Sequence, residues 1–297
     1  MSNSKIEWLA RPGTIPTSWS PVTGCNKCSP GCLHCYAERM SKRLAGRCGY
    51  PEAPHNFDVT LHEDRLEEPL RWKKPRTVFV CSMSDFFHPV IPFAFQCRIL
   101  QAIAKCPQHT FILLTKRTEQ LEMWNEIAGW HPYPNLWLGV TAENQEMADK
   151  RIPVLLQIPA AVRFVSIEPC LSAIDLTPWF NRDIIANRLN SHIEASNGRE
   201  RDCISQSGSA RSIHDRCSGQ VLESPSHGVR SKGLKWAIVG AETGPSKRPM
   251  KEEWALDLRD QCHEAGVHFF FKKDSYGNGT LHGIEYHGWP EARDATP

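Results

Sequence analysis

The sequence predicts a partial (open) parallel α/β barrel of about six or seven βα units. Short apolar runs alternate with longer segments that have the hydrophobic spacing of helices. Such an alternation produces right-handed βαβ units and therefore a parallel sheet. No dinucleotide-binding glycine motif follows an early strand, which disfavours a doubly wound sheet, and the visible strands are too few for an eight-fold barrel. The predicted strands are residues 77–81, 111–114, 136–140, 163–167, 236–239 and 268–271.

The remaining elements are assigned in chain order. Residues 1–23, rich in Trp, Pro and Thr, are interpreted as an extended lead-in, and a seventh strand within them is not evident. Residues 46–75 form a connection with many charges and prolines. The predicted helices are residues 33–44, 92–105, 119–127, 145–157 and 251–265.

Residues 181–233 interrupt the alternation. This segment contains no Phe, Trp or Tyr and is rich in Ser, Arg, Asn and Gly, so it buries too little apolar surface to offset the entropy cost of ordering. We interpret it as a largely disordered insert, with a short helix near residues 184–195, in a single domain that spans residues 1–297. The tail after Gly277 is rich in Gly and His and is expected to pack over the site or to fray.

The composition limits the classes of function that are consistent with this sequence. The net charge is +2, so no global basic field indicates a nucleic-acid partner, although a local groove can still be basic. No segment is apolar enough for a membrane span or a signal peptide, which predicts a cytoplasmic protein. Because thiols stay reduced there, the twelve cysteines indicate metal binding or burial and not disulfides.

The most informative stretch is the cysteine loop, residues 24–38. Its cysteines Cys25, Cys28, Cys32 and Cys35 follow the spacing C-x2-C-x3-C-x2-C, and thiolates this close in a chain indicate a shared metal. A structural zinc site usually separates its two Cys pairs by about 12–20 residues. A bacterial ferredoxin run has a similar density but requires a remote cysteine and a proline after its last one.

An iron–sulfur cluster with one open iron suits the spacing better. Cys28-x3-Cys32-x2-Cys35 supplies three thiolates to a [4Fe-4S] cluster and leaves one iron free to be chelated by S-adenosylmethionine. Electron transfer from the cluster then splits the sulfonium and produces a carbon radical. Cys25 in place of Cys28 would serve equally well. If all four cysteines bound the same cluster, only electron transfer would remain.

Polar residues follow each predicted strand. The C-terminal ends of parallel strands line the active site of α/β barrels, so these residues are expected to surround one mouth and to bind the cofactor. Any one of these residues could be polar simply because it lies in a surface loop. The whole set of polar strand ends, next to a loop with four cysteines, favours a cofactor-binding site. The set is Ser82, Ser84, Asp85, Thr115, Lys116, Glu143, Ser166, Glu168, Gly240, Glu242 and Lys272.

Ordered short motifs run through about residues 17–180 and 234–275. They are Trp19-Ser20-Pro21, Gly24-Cys25, Ser29-Pro30-Gly31-Cys32, Cys35-Tyr36-Ala37-Glu38, Trp72-Lys73-Lys74-Pro75-Arg76, Ser82-Met83-Ser84-Asp85, Leu114-Thr115-Lys116-Arg117, Trp137-Leu138-Gly139-Val140, Glu168-Pro169, Gly240-Ala241-Glu242-Thr243-Gly244 and Arg248-Pro249-Met250. Together they resemble a family of phage and bacterial proteins named after the phage gene products thirty-seven and sixty-eight, which is similar to the radical-SAM enzymes. The resemblance implies a radical-SAM-like fold and an enzyme that uses one [4Fe-4S] cluster, S-adenosyl-L-methionine and an electron donor.

The resemblance also bears on the ligands and the substrate. In this family the first cysteine aligns with Cys25, and the position of Cys28 is usually not cysteine, which implies Cys25, Cys32 and Cys35 as ligands. The link at the position of the insert is shorter in the family, and its glycine pair is Gly240-Ala241 here. The phage association implies a nucleic-acid base or a nucleotide as substrate, while the reaction and its catalytic residues stay open.

A different class of function is also consistent with the cysteines. A zinc-stabilised module can bind nucleic acid or protein without catalysis, and the aromatic residues Trp8, Trp19 and Tyr36 near the cysteine loop would then stack on bases. Core packing is the simpler explanation for such residues. The colour of the anaerobically purified protein separates the two classes, because an iron–sulfur protein is brown and a zinc protein is colourless.

Overall fold

A computed structural model describes residues 4–128, 130–131, 133–181 and 233–290. Seven parallel strands form one sheet in the order β1-β4-β5-β6-β7-β8-β9, and β1 and β9 are its two free edges. The predicted open, partial α/β barrel is therefore confirmed. The strands of this sheet are β1 (Ile15–Trp19), β4 (Arg76–Val80), β5 (Thr110–Thr115), β6 (Leu136–Thr141), β7 (Val162–Ile167), β8 (Trp236–Val239) and β9 (His268–Phe271).

The strand that the sequence did not reveal is β1. It pairs in parallel with β4, with Ile15 opposite Arg76 and Trp19 opposite Val80. Its sequence, Ile-Pro-Thr-Ser-Trp, contains a proline and two hydroxyl residues and therefore lacks the apolar run that marks the other strands. A proline is tolerated here because β1 lies at an edge of the sheet.

A small hairpin and five helices complete the fold of the residues that the structure describes. The hairpin pairs β2 (Val22–Thr23) with β3 (Thr60–Leu61) on either side of the cysteine loop and its helix. The predicted helix at residues 33–44 begins later than expected, because Pro30–Cys32 forms a separate 3-10 turn. The helices are α1 (Tyr36–Leu44), α2 (Phe93–Ala104), α3 (Thr118–Ala128), α4 (Gln145–Gln157) and α5 (Glu252–Ala265).

Two hydrophobic cores lie on opposite faces of the curved sheet. The outer core packs the sheet against the helices. The inner core fills the concave side with aromatic residues, and Gly139 is required there because a Cβ atom would lie 2.4 Å from the ring of Phe164. Trp8 closes this core from the N-terminal 3-10 turn, and its carbonyl accepts a 2.9 Å hydrogen bond from Nε1 of Trp289. The inner core includes Trp8, Trp137, Phe164, Trp236 and Phe270.

The tail after Gly277 lies along the edge of the sheet. The amide of Gly288 donates to the carbonyl of Phe269, and His287 forms an isolated bridge with Phe270. These contacts give the open edge of β9 a partner for part of its length, which protects it from pairing with other chains. In none of the described ranges does a helix combine the length and the apolar character that a membrane span requires.

The two ends of the predicted insert lie side by side. The amide of Leu234 donates a 3.1 Å hydrogen bond to the carbonyl of Trp179, and Gly233 lies against the backbone of Asn181. The rest of the insert, including the predicted helix at residues 184–195, lies outside the described residues. The described ranges on either side of the insert therefore end at one place in the domain.

Deleting residues 184–231 and joining the ends directly should preserve the fold. Asn181 and Gly233, which flank the junction, are already in contact, and a shorter connection lowers the entropy cost of closing the loop, which favours the folded state by about 2 kcal/mol. Thermal unfolding of the deletion variant and of the full chain, followed by circular dichroism, measures the effect. A lower melting temperature or an insoluble product would show that the segment supports the domain.

Candidate functional site

A cavity of about 450 Å³ opens at the C-terminal ends of the strands. All four cysteines of the cysteine loop line it, together with all but two of the polar residues expected at the mouth. Trp8, Phe79 and Leu114 form an apolar floor where the cavity meets the inner core. The expected residues that line it are Ser82, Ser84, Asp85, Thr115, Lys116, Ser166, Glu168, Glu242 and Lys272.

The two expected residues outside the cavity wall are Glu143 and Gly240. Gly240 lies beneath the wall, where a Cβ atom would come within 3.2 Å of the Lys272 side chain. The Glu143 side chain is fully buried, and its Oε1 accepts a 2.9 Å hydrogen bond from the amide of Gly31. Glu143 therefore supports the cysteine loop from behind.

The cysteine loop begins at a fixed point above the sheet. Gly24 has a φ of +84°, and a Cβ atom there would lie 2.1 Å from the carbonyl oxygen of Asp58, so only glycine fits. Its amide donates to the carbonyl of Met83, and its own carbonyl accepts a 2.6 Å hydrogen bond from Oγ of Ser84. Ser84 thus positions the loop as well as lining the cavity.

Arg117 contacts the first cysteine and its neighbour. Its Nη2 lies 3.8 Å from Sγ of Cys25 and donates a 3.0 Å hydrogen bond to the carbonyl of Asn26. The Asn26 side chain also contacts Nε2 of His88 at 3.0 Å. Sequence reasoning missed this group. The one available signal was that Arg117 directly follows the polar pair at the end of β5.

Cys28 and Cys32 form a close pair. Their sulfurs lie 4.0 Å apart, and Cys28 is exposed to solvent. The hydrogen bond from Cys28, with the nearby Lys116 ammonium, lowers the pKa of Cys32 well below that of an ordinary thiol, and the same contact raises the pKa of Cys28. A lowered pKa favours the thiolate, which is the form of cysteine that binds metals.

The last cysteine immediately precedes α1. Cys35 is the N-cap residue of that helix, whereas the predicted helix over residues 33–44 would have included it. The unpaired backbone amides at a helix start favour anionic groups. The next residue, Tyr36, donates its phenol hydrogen to the carbonyl of Ser82 at 3.3 Å, which connects α1 to the end of β4.

The carboxylates that line the cavity are already engaged. Asp85 accepts hydrogen bonds from Oγ1 of Thr115 at 2.8 Å and from the amide of Lys116 at 3.0 Å, and it thereby joins the ends of β4 and β5. Glu168 forms an ion pair with Lys272. Burial lowers the pKa of Lys272, but the adjacent carboxylate outweighs burial and raises that pKa above its usual value.

Glu242 binds the guanidinium of Arg248 at two points. Its Oε1 accepts from Nη2 at 2.6 Å, and its Oε2 accepts from Nε at 2.9 Å. Burial raises the pKa of Glu242, but these bonds outweigh burial and hold that pKa below its ordinary value. The same Nη2 donates to the carbonyl of Pro30 at 2.9 Å, so the loop after β8 is also fastened to the cysteine loop.

The aromatic residues near the cysteine loop have different environments. Trp19 is fully buried in the outer core and cannot stack on a base. Trp8 is 4% exposed and contributes to the cavity floor. Tyr36 is 44% exposed at the cavity wall, and it alone of the three is accessible for stacking.

Within the described part of the chain, no group of three or more His, Cys, Asp and Glu side chains is arranged to hold a metal ion. A four-iron cluster is larger than a single ion and requires thiolates spread around it. The donor set suits such a cluster, because four cysteines free of disulfides line one end of a cavity.

Replacing Glu143 by alanine should destabilise the domain. Arg151 is 2% exposed, and its Nη1 donates to Oε2 of Glu143 at 2.9 Å, so the variant leaves a buried charge without its partner. A loss of about 3–5 kcal/mol in the free energy of unfolding is expected from such a change. Urea unfolding measures it, with Glu126→Ala on the exposed side of α3 as control. Equal losses in the two variants would contradict this role of Glu143.

Comparison with known proteins gives one match. No curated protein and no solved structure matches the chain. A family described as a protein of unknown function (DUF5131) matches residues 3–285, which include every element of the sheet and the whole candidate site. The chain therefore belongs to the DUF5131 family of proteins of unknown function.

Proposed function

We propose that this protein is a radical S-adenosylmethionine-type enzyme that binds one [4Fe-4S] cluster at the cysteine loop. The observation that supports this most directly is the placement of the cysteines. All four line one cavity at the C-terminal ends of parallel strands, where enzymes with this architecture place their active sites. The volume of about 450 Å³ suits a small-molecule ligand.

A zinc-stabilised binding module is the alternative, and the cavity argues against it. A structural zinc ion is enclosed by four ligands about 2.3 Å away, which leaves it no open position. Here the cysteines face an open cavity with polar walls and an apolar floor. A structural zinc site does not require an open cavity beside its ligands, whereas an enzyme requires one to bind its cofactor and its substrate.

The geometry favours Cys25, Cys32 and Cys35 as the cluster ligands. Arg117 holds Cys25 by a direct contact to its sulfur, and the amide of Cys25 donates to the carbonyl of Phe57 at 3.1 Å. Cys28 lies on the exposed side of the loop. A sulfur that is already fixed loses little conformational freedom on ligation, so Cys25 is the better third ligand.

A cluster held by Cys25, Cys32 and Cys35 would supply the electron for reductive cleavage of the sulfonium of S-adenosylmethionine. The protein contributes binding and exclusion of water. Lys116 provides an ammonium group in the wall, where its Nζ lies 3.3 Å from Oγ1 of Thr141, and it can receive a carboxylate. Phe79 and Leu114 keep the floor dry. An external electron donor restores the cluster, and the substrate is a nucleic-acid base or a nucleotide.

The cysteine variants test the ligand assignment. Cys32→Ala and Cys35→Ala should each abolish cluster binding, because each removes one of three required thiolates. Cys25→Ser should lose the cluster, and Cys28→Ser should retain it. Iron and sulfide content and the electron paramagnetic resonance spectrum of the reduced protein measure these outcomes. Iron retained by both alanine variants would contradict the cluster, and loss on Cys28→Ser alone would assign Cys28 in place of Cys25.

Release of 5′-deoxyadenosine tests the reaction. The anaerobically reconstituted, reduced protein should cleave S-adenosylmethionine, and the Cys32→Ala variant provides the matched control. The protein could instead be brown, contain four irons and cleave S-adenosylmethionine only after Cys28 is replaced. That result would indicate a closed cluster with four thiolate ligands. A colourless protein with one zinc and no iron would establish the binding module instead.

A further inference from the structure

Positive charge is concentrated at one side of the cavity mouth. Three segments form that side: residues 24–51, which include the cysteine loop and α1, residues 240–251 after β8, and residues 272–279 after β9. Together they contain ten lysines and arginines but three acidic residues. Because the whole chain has a net charge of +2, the remainder is acidic overall. We call these three segments the basic rim.

Side-chain contacts join the three segments into one surface. Nη2 of Arg39 on α1 donates a 3.0 Å hydrogen bond to the carbonyl of Thr243 after β8. Lys247 in the same loop donates to the carbonyl of Ser275 after β9. Arg39 and Lys273 also line the cavity, so the basic rim continues directly into its wall.

Acidic residues cancel only part of this charge, and they include Glu168, which pairs with Lys272 of the basic rim. Glu242 is 5% exposed and is bound by Arg248, and Glu38 pairs with Lys27 at 3.5 Å. The third acid of the basic rim, Asp274, accepts hydrogen bonds from its own turn. Among the described residues, by contrast, no carboxylate pairs with Lys42, Arg43, Lys247 or Lys273. Several unpaired cations along one surface favour a ligand with several negative charges, such as a chain of phosphates.

An exposed aromatic side chain stands within the basic rim. Tyr276 is 90% exposed, the largest exposure among the large hydrophobic side chains described. Hydrogen bonds close its turn, because Oδ1 of Asp274 accepts from the amides of Tyr276 and Asn278, each at 2.8 Å. An exposed aromatic ring on a surface that also carries cations is suited to stacking on an unpaired base. Tyr36 offers a second, partly exposed ring at the cavity wall.

From these contacts we infer that the basic rim binds single-stranded nucleic acid and directs one base into the cavity. The reacting base must reach the ends of the strands inside the half-barrel, and a base in a duplex cannot do so unless it leaves the stack. The cations contact the phosphates and Tyr276 stacks on a base outside the cavity. The inference rests on the proposed function for what happens to the base, but the binding itself requires no radical chemistry.

Fluorescence anisotropy of the full-length protein, purified anaerobically, tests the inference. The probes are fluorescein-labelled oligothymidylate and oligouridylate of about 20 nucleotides and a duplex of the same length. Both single strands should bind more tightly than the duplex, and affinity should fall steeply between about 50 and 200 mM salt. Oligothymidylate and oligouridylate distinguish DNA from RNA as the natural ligand.

Three variants locate the site. Arg43→Glu combined with Lys247→Glu should weaken binding of the oligothymidylate about tenfold or more, and Tyr276→Ala about fivefold. The matched control is Lys74→Glu combined with Lys105→Glu, which makes the same charge change at exposed positions near the N-terminal ends of β4 and β5 and should leave affinity unchanged. All positions are exposed, and melting temperatures verify the folding of each variant.

Four results would overturn the inference. The first two are the absence of oligonucleotide binding at about 50 mM salt and a loss of affinity in the control variant as large as in the Arg43→Glu, Lys247→Glu variant. The third is tighter binding of the duplex than of the single strands. The fourth is competition by inorganic polyphosphate as strong as that by the oligonucleotide at the same phosphate concentration, which would show that the protein does not contact the bases. Iron content and S-adenosylmethionine cleavage are measured on the same preparation. Oligonucleotide binding by a protein without iron would preserve this inference and refute the radical enzyme, whereas cleavage without binding would do the reverse.

Discussion

The cysteine loop is held over the cavity by three charged side chains from the ends of different strands. Glu143 after β6 accepts from the loop backbone, and Arg117 after β5 and Arg248 after β8 donate to it. Hydrogen bonds to charged groups contribute about 1.5–3 kcal/mol each. Residues 25–35 contain one 3-10 turn and no longer element, so local structure alone cannot fix where the sulfurs lie. The site therefore exists only when β5, β6 and β8 are aligned in one sheet.

The openness of the barrel and the position of the cavity have one physical origin. A sheet with two free edges leaves a concave face that has to be filled, and here tryptophan and phenylalanine side chains fill it towards the N-terminal ends of the strands. The 3-10 turn at Glu7–Leu9 and the tail at Trp289 close that end together. The remaining space lies at the C-terminal ends, where polar loops and the cysteine loop form its walls.

The sequence predicted the parts of this arrangement that depend on local pattern. Strands β4 to β9 are apolar because the sheet buries both of their faces, whereas the edge strand β1 carries Pro16 and two hydroxyl residues and was not recognised. The cysteine spacing and the polar strand ends also predicted one cavity with a common wall. The partners of those residues could not be predicted. Glu143 and Glu242 both follow apolar strands. Glu143 lies behind the cavity wall, where it is bound by an arginine of α4, whereas Glu242 lies in the wall, where it is bound by an arginine of the loop after β8.

The carboxylates that line the cavity are engaged by neighbouring groups, whereas the basic rim beside it carries cations without carboxylate partners. Glu168 and Glu242 are each neutralised by a basic side chain, and hydrogen bonds saturate Asp85. Under the proposed function the cavity would have to hold a cofactor and a substrate in fixed relative positions. What the reaction requires of such a cavity is a fixed geometry and a dry floor, which the paired carboxylates and the inner core provide. The unpaired cations are then free to act outside, where a polyanionic substrate would first meet the protein. A net charge of +2 is the sum of the basic rim and an acidic remainder of the chain, which explains why the composition gave no sign of the basic rim.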